Sequence, residues 1–158
     1  MNYGILTTRF TTETYLENIK WREKNNYNGC IYNLKIRISD QNLYDKPYFV
    51  LEMNNEINKV MGIGVIKNKI SKRKVKIYSN PYFNRYCYEG SRFIKLYDIE
   101  NNKSLLKKEV YDNFIELFEN IIFYGKGHMK RGQSMTHFPK KKISKLHIEL
   151  LESILYNN

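Results

Sequence analysis

Apolar and polar positions recur along this chain with two different periods, and the change of period divides it into regions. Tyr3 to Thr8 (YGILTT) is β-branched and mostly apolar, and predicts a first strand. Thr11 and Thr12 offer a helix N-cap, with Glu13 in the first turn, where it complements the helix dipole. That helix is expected to run to about Lys24, with Tyr15, Leu16, Ile19 and Glu23 setting its faces. Asn25, Asn26, Asn28 and Gly29 stop it. From Gly29 to Ile38 the pattern alternates, with Leu34, Ile36 and Ile38 on one face and Lys35 and Arg37 on the other. Pro47 to Met53 (PYFVLEM) and Lys59 to Asn68 (KVMGIGVIKN) read as further strands, and Lys74 to Tyr78 and Arg92 to Tyr97 as two shorter ones. Gly62 and Gly64 leave one face of their strand bare, which signals a bend, a bulge or the close approach of another backbone.

The last third turns helical. Leu105, Leu106, Val110, Phe114, Ile115, Leu117, Phe118, Ile121 and Ile122 keep a helical period from Ser104 to about Phe123, and Gly125 and Gly127 end it. A final helix from about Lys141 is expected to bury Ile143, Leu146, Leu150, Leu151, Ile154 and Leu155. The fold class implied is α+β: a five- to six-stranded, mostly antiparallel sheet, curled into a partly open barrel, with helices packed on it. One domain is expected over 1–158, with the N-terminal helix and β-rich part at 1–99. The helical part, carrying a Gly-rich basic loop at 125–139, occupies 100–158.

Composition narrows the class. With 42% hydrophobic and 15% aromatic residues, a wholly disordered chain is excluded. No apolar run reaches the roughly 20 residues that span a bilayer. MNYGILTTRF lacks the order of a signal peptide, so a soluble, intracellular protein is expected. Cys30 and Cys87 lie in apolar or aromatic surroundings and read as reduced, buried thiols. The net charge is +11, but the chain has no alanine and abundant Asn, Lys, Ile and Tyr, the bias of an AT-rich genome. The distribution of charge therefore counts for more than its total.

That distribution singles out one segment. Between Asn120 and Ile148 there is no acidic residue, while Lys126, Lys130, Arg131, Lys140, Lys141, Lys142 and Lys145 stand there with all three histidines. Each cation that neutralises a phosphate releases a condensed counterion, so such a patch attracts nucleic acid. Lys126, His128, Lys130, Arg131, Gln133, Lys140 and Lys141 are the candidate contacts, with Arg131 and Gln133 able to read base edges. Arg85 joins them from NPYFNRYCYEGSRF, where aromatics and arginines interleave. Trp21, Tyr82 and Tyr86 are candidates for a base-stacking pocket.

Chemistry beyond binding is not signalled. His128, His137 and His147 lack the tight spacing of zinc ligands, so no metal and no cofactor is expected. Glu52 and Asp98 are carboxylates that could serve a histidine base, yet no spacing ties them to one. No catalytic residue is assigned.

Two resemblances follow from these segments. The Trp21 helix and KVMGIGVIKN, within Tyr3 to Ile99, resemble the PUA-like superfold with its EVE, ASCH and YTH relatives. That resemblance implies a small barrel binding RNA or modified bases. VLEMNNEINKVMGIG, NRYCYEG and FYGKGHMKRGQ together resemble a group of uncharacterised proteins of large eukaryotic DNA viruses, which implies a host-cytoplasmic or virion location. The leading expectation is recognition of RNA, DNA or a modified base through the basic loop, without a membrane. Two alternatives stand beside it: a virion-associated structural protein whose basic face meets genome or an acidic protein, and a nuclease using His128. KNKISKRKVK, a basic run without aromatics, favours the first of these alternatives.

Overall fold

The computed structural model describes residues 3–39, 46–110, 114–132 and 134–156. β1 (Gly4–Thr7) and β3 (Pro47–Asn54) pair in parallel, with Gly4 opposite Tyr48 and Thr7 opposite Leu51. A parallel pair needs a long crossover, and here it carries α1 (Thr12–Lys24) and β2 (Cys30–Leu34). β4 (Lys59–Lys67) lies antiparallel to β3, and β6 (Arg92–Lys95) antiparallel to β4. On the far side, β9 (Thr136–His137) lies antiparallel to β1. The result is a mixed, mostly antiparallel five-stranded sheet in the order β6-β4-β3-β1-β9. β2 and β5 (Tyr86–Gly90) form a separate antiparallel ribbon, and β7 (Tyr97–Asp98) and β8 (Lys103–Ser104) a short hairpin. The fold is α+β, and its strands do not close into a barrel.

Both faces of the central sheet are covered, which is why PYFVLEM reads as an unbroken apolar run. Ile5, Phe49 and Leu51 face α3 (Glu116–Phe123) and α4 (Lys145–Tyr156), meeting Phe118, Ile122 and Leu151. The alternate residues Leu6, Tyr48 and Val50 face the ribbon and α1, meeting Ile31, Tyr88 and Tyr15. Gly64 makes the second contact possible: a Cβ there would lie 2.5 Å from the Tyr32 hydroxyl and 2.7 Å from Cys30 Sγ. The pairing of β3 with β4 also slips between Leu51–Ile63 and Met53–Val60, leaving Met61 and Gly62 against the single residue Glu52. The paired glycines thus mark a bulge at Gly62 and a close approach at Gly64, made there by side chains and not by a backbone.

Several sequence expectations are corrected. β2 ends at Leu34, and Ile36 is exposed. Lys74 to Tyr78 is not a strand: Ile77 and Tyr78 donate their backbone N–H groups to Asn84 Oδ1, and Asn33 Nδ2 donates to the Val75 carbonyl. Side-chain amides satisfy that backbone in place of a neighbouring strand. The helix expected from Ser104 begins later. Leu105 N donates to Leu96 O, extending the β7–β8 pairing, and among the described residues of this stretch only α2 (Lys108–Val110) and α3 are α-helical. A short 3-10 turn at Lys140–Lys142 precedes α4, and Leu146 points to solvent at 60% exposure. No helix among the described residues is long and apolar enough to cross a membrane.

Candidate nucleic-acid interface

The basic loop is anchored along its length. It leaves α3 through Gly125 at φ +80, and Met129 N then donates to Ile122 O at 2.6 Å. Burial of Met129, Met135 and Phe138 pins it to the body, and Thr136–His137 adds an edge to the sheet. Arg9 Nε donates to Arg131 O at 3.1 Å and Asn55 Nδ2 to Lys130 O at 3.3 Å. Gly132, at φ +118, passes the Arg9 side chain closely.

This anchoring decides which charges face water. Lys126, Arg131 and Lys141 are exposed, and Lys130 is half-buried. His128 is half-buried, and its Nδ1 accepts from Lys130 N at 3.2 Å. Lys140 is turned inward, donating to Tyr3 O at 2.6 Å, and burial followed by nearby Lys46 lowers its pKa. Gln133 lies outside the described residues.

A pocket of about 100 Å³ opens beside the loop. Its walls are Phe10, Tyr32, Leu34, Tyr78, Phe83 and Met135, and Arg9, Thr14, Lys35 and Ser134 add polar lining. Ser134 and Met135 belong to the basic segment, so the charged loop and the aromatic pocket share a wall. An apolar cavity of about 150 Å³ is enough to take up benzene. This pocket is smaller than that but open to solvent, so it has room for the edge of one planar ring.

Beneath the pocket lies a buried polar cluster. The Tyr32 hydroxyl donates to Glu52 Oε2 at 2.6 Å, and Arg22 Nη2 donates to the same oxygen at 2.9 Å. Arg22 also stacks on the Phe93 ring, 4.4 Å from its centroid. Asn18 Nδ2 bridges the Ile31 carbonyl at 2.8 Å and the Tyr78 hydroxyl at 3.1 Å. Burial opposes the Arg22 charge, but the Glu52 carboxylate outweighs it, and the guanidinium pKa stands above its ordinary value. Burial and then the Glu52 charge drive the Tyr32 phenol well up, so Tyr32 remains a donor.

The other sequence candidates are scattered. Tyr82 is 64% exposed on a 3-10 turn at Pro81–Asn84. Tyr86 lies between Arg37 and Arg85, whose guanidinium carbons stand 5.5 and 5.9 Å from its ring centroid. Trp21 is half-buried, edge-on to Tyr27 at 5.4 Å. No ring contact joins Trp21, Tyr82 and Tyr86 among the described residues. Phe10, Tyr32, Tyr78 and Phe83, which do wall a pocket, come from three separate segments, and of them only Phe83 lies in the aromatic stretch NPYFNRYCYEGSRF. The clue that was present is Glu52, a carboxylate inside an apolar strand.

The histidines have structural partners. His147 Nδ1 accepts from Ser144 N at 3.1 Å, its ring parallel to that of Phe114, and His137 sits edge-on to Tyr48. Glu52 is taken by Arg22 and Tyr32, and Asp98 by Asn101 and the Glu100 backbone. Among the described residues, no group of three His, Cys, Asp or Glu could hold a metal ion. Compared with known proteins, the chain matches no family model, no curated sequence and no solved structure.

Proposed function

We propose that the protein binds nucleic acid, drawing the phosphates to the basic loop and taking one unstacked base into the neighbouring aromatic pocket. The observation that carries this reading is the shared wall: Ser134 and Met135 of the acid-free basic segment line a pocket whose other sides are Phe10, Tyr32, Tyr78 and Phe83. Aromatic faces stack bases with little sequence preference, and adjacent cations supply most of the affinity. The pocket's polar atoms are largely engaged already, Tyr32 with Glu52 and Ser134 Oγ with the Ile36 carbonyl. Recognition by ring shape and stacking therefore suits it better than readout of a base edge. The PUA-like kinship belongs to the same proposal, with the β2–β5 ribbon packed over β4 as the open side of its barrel.

The test is a binding titration with labelled single- and double-stranded RNA and DNA from low to physiological salt. Reversing charge at Lys130 and Arg131 (Lys130→Glu with Arg131→Glu) should weaken binding by ten-fold or more at low salt and flatten its salt dependence. Unchanged affinity in that variant would remove the loop from the interface.

A further inference from the structure

Beyond the pocket lie two grooves that meet along the second basic run, KNKISKRKVK. The nearer, of about 450 Å³, is lined by Lys74, Lys76 and Arg85 together with Pro81 and Asn84. The farther, of about 910 Å³, is lined by Lys67, Lys69, Lys72 and Arg92. Ile70 and Ser71 line both, so the two adjoin. At its other end the nearer groove abuts the base pocket across the turn Pro81–Asn84, because Phe83 of that turn walls the pocket. Tyr82, exposed, stands on this saddle.

The track is close to purely cationic. Among the described residues Glu89 is the single carboxylate lining either groove, and it is held by Arg73 at 3.0 Å and Ser71 at 2.9 Å. None of the other groove cations makes an ion pair among the described residues. Arg92 is backed by the Tyr156 ring, 5.0 Å from its centroid, which sets a flat cation at the groove. Lysine drift in an AT-rich genome raises the number of surface cations. It does not neutralise the one acid lining the grooves or set the cations along two adjoining depressions.

We infer that this track carries the phosphate backbone of a single strand, running from the base pocket over Tyr82 and along both grooves to Arg92. The inference rests on the nucleic-acid reading of the pocket and extends it from one nucleotide to a path. A single strand is the form that fits, because a base that enters the pocket must already be unpaired and unstacked. Tyr82 offers its free face to the next base at the saddle. KNKISKRKVK, which in the sequence favoured a non-selective structural face, becomes the ridge along which the strand lies.

Salt titrations with single strands of about 2 and about 20 nucleotides test the path, the shorter covering only the pocket and the Tyr82 saddle. Replacing Lys67, Lys69 and Lys72 by Gln, all exposed and therefore compatible with the fold, removes three phosphate contacts. For the long strand, the slope of log K against log salt should become shallower by about 2, while the short strand binds as before. Tyr82→Ala should weaken the long strand on the order of ten-fold with its slope intact. An unchanged slope in the Gln variant overturns the track, as does an equal loss of slope with duplex DNA or inorganic polyphosphate. Failure of the pocket reading looks different: Phe83→Ala would leave affinity unaltered while the Gln variant still flattened the slope.

Discussion

Glu52 occupies a β3 position that faces α1 and is fully buried, so its charge must be met within the protein. Arg22 and Tyr32 both bind its Oε2, while Oε1 and the Nε and Nη1 of Arg22 have no hydrogen-bond partner among the described residues. A buried pair in this condition is vulnerable to the loss of one member, because desolvation of the survivor is no longer offset. Glu52→Ala should therefore cost about 3–5 kcal/mol, read from urea unfolding. Replacing Glu52 and Arg22 together by Leu and Met should restore most of the loss, and a double variant as unstable as Glu52→Ala would contradict this account. The cluster was half legible in the sequence. Glu52 stands out within PYFVLEM, but Arg22 and Asn18 do not, because nothing local marks a polar residue of a helix as inward-facing.

At the scale of elements, α1 shows where pattern and packing part company. The apolar periodicity put Leu16 among the residues setting its faces, yet Leu16 is 45% exposed and the buried side is Tyr15, Asn18 and Arg22. The boundaries held nonetheless, because they are set by Thr11, whose side chain caps Thr14 N, and by Asn25. β1, β3 and β4 were legible for the same reason, being continuous runs with local stops. β5 was missed because YCYEG alternates only weakly and is made a strand by its partner β2. The glycines of the sheet–ribbon contact test this layer. Gly64→Ala would press its Cβ onto the buried Tyr32 hydroxyl and the Sγ and Cβ of Cys30, and should cost about 1–3 kcal/mol. Gly90→Ala would drive its Cβ into the Val65 carbonyl, a backbone group that cannot yield, and should lower the melting temperature further. Equal melting temperatures for wild type and both variants would mean that the ribbon does not seat on β4 as described.

For the whole molecule, the sequence disclosed the segregation of charge but not the surface it would form, since the pocket and grooves draw on β2, the 3-10 turn at Pro81–Asn84 and the basic loop at once. The interior has a titration asymmetry that can be measured. Burial, followed by Glu52 for Cys30 and Glu89 for Cys87, pushes both thiols up to about 11 from an ordinary 9.0. Burial likewise raises the Tyr15, Tyr32 and Tyr78 phenols, in each case with help from Glu52. These groups keep their protons in the folded state at pH values where the unfolded chain releases them. The thiols' contribution to stability is thus fully present below about pH 9 and is lost as pH rises through about 11, whereas the phenols' begins to be lost only above about pH 10. Each thiol accounts for on the order of 2–3 kcal/mol of that loss, at about 1.4 kcal/mol per pH unit. Deprotonation of surface lysines over the same range reduces the repulsion of a +11 chain and works the other way. That effect is spread over screened, solvated charges, so the buried groups should prevail. Urea midpoints should stay level from pH 7 to 9 and then fall, with no change in slope. The fall should be smaller when Cys30 and Cys87 are both replaced by Ala. A midpoint that stayed level to pH 11, or fell equally in the double variant, would show that these thiols are not sealed in the core as their burial implies.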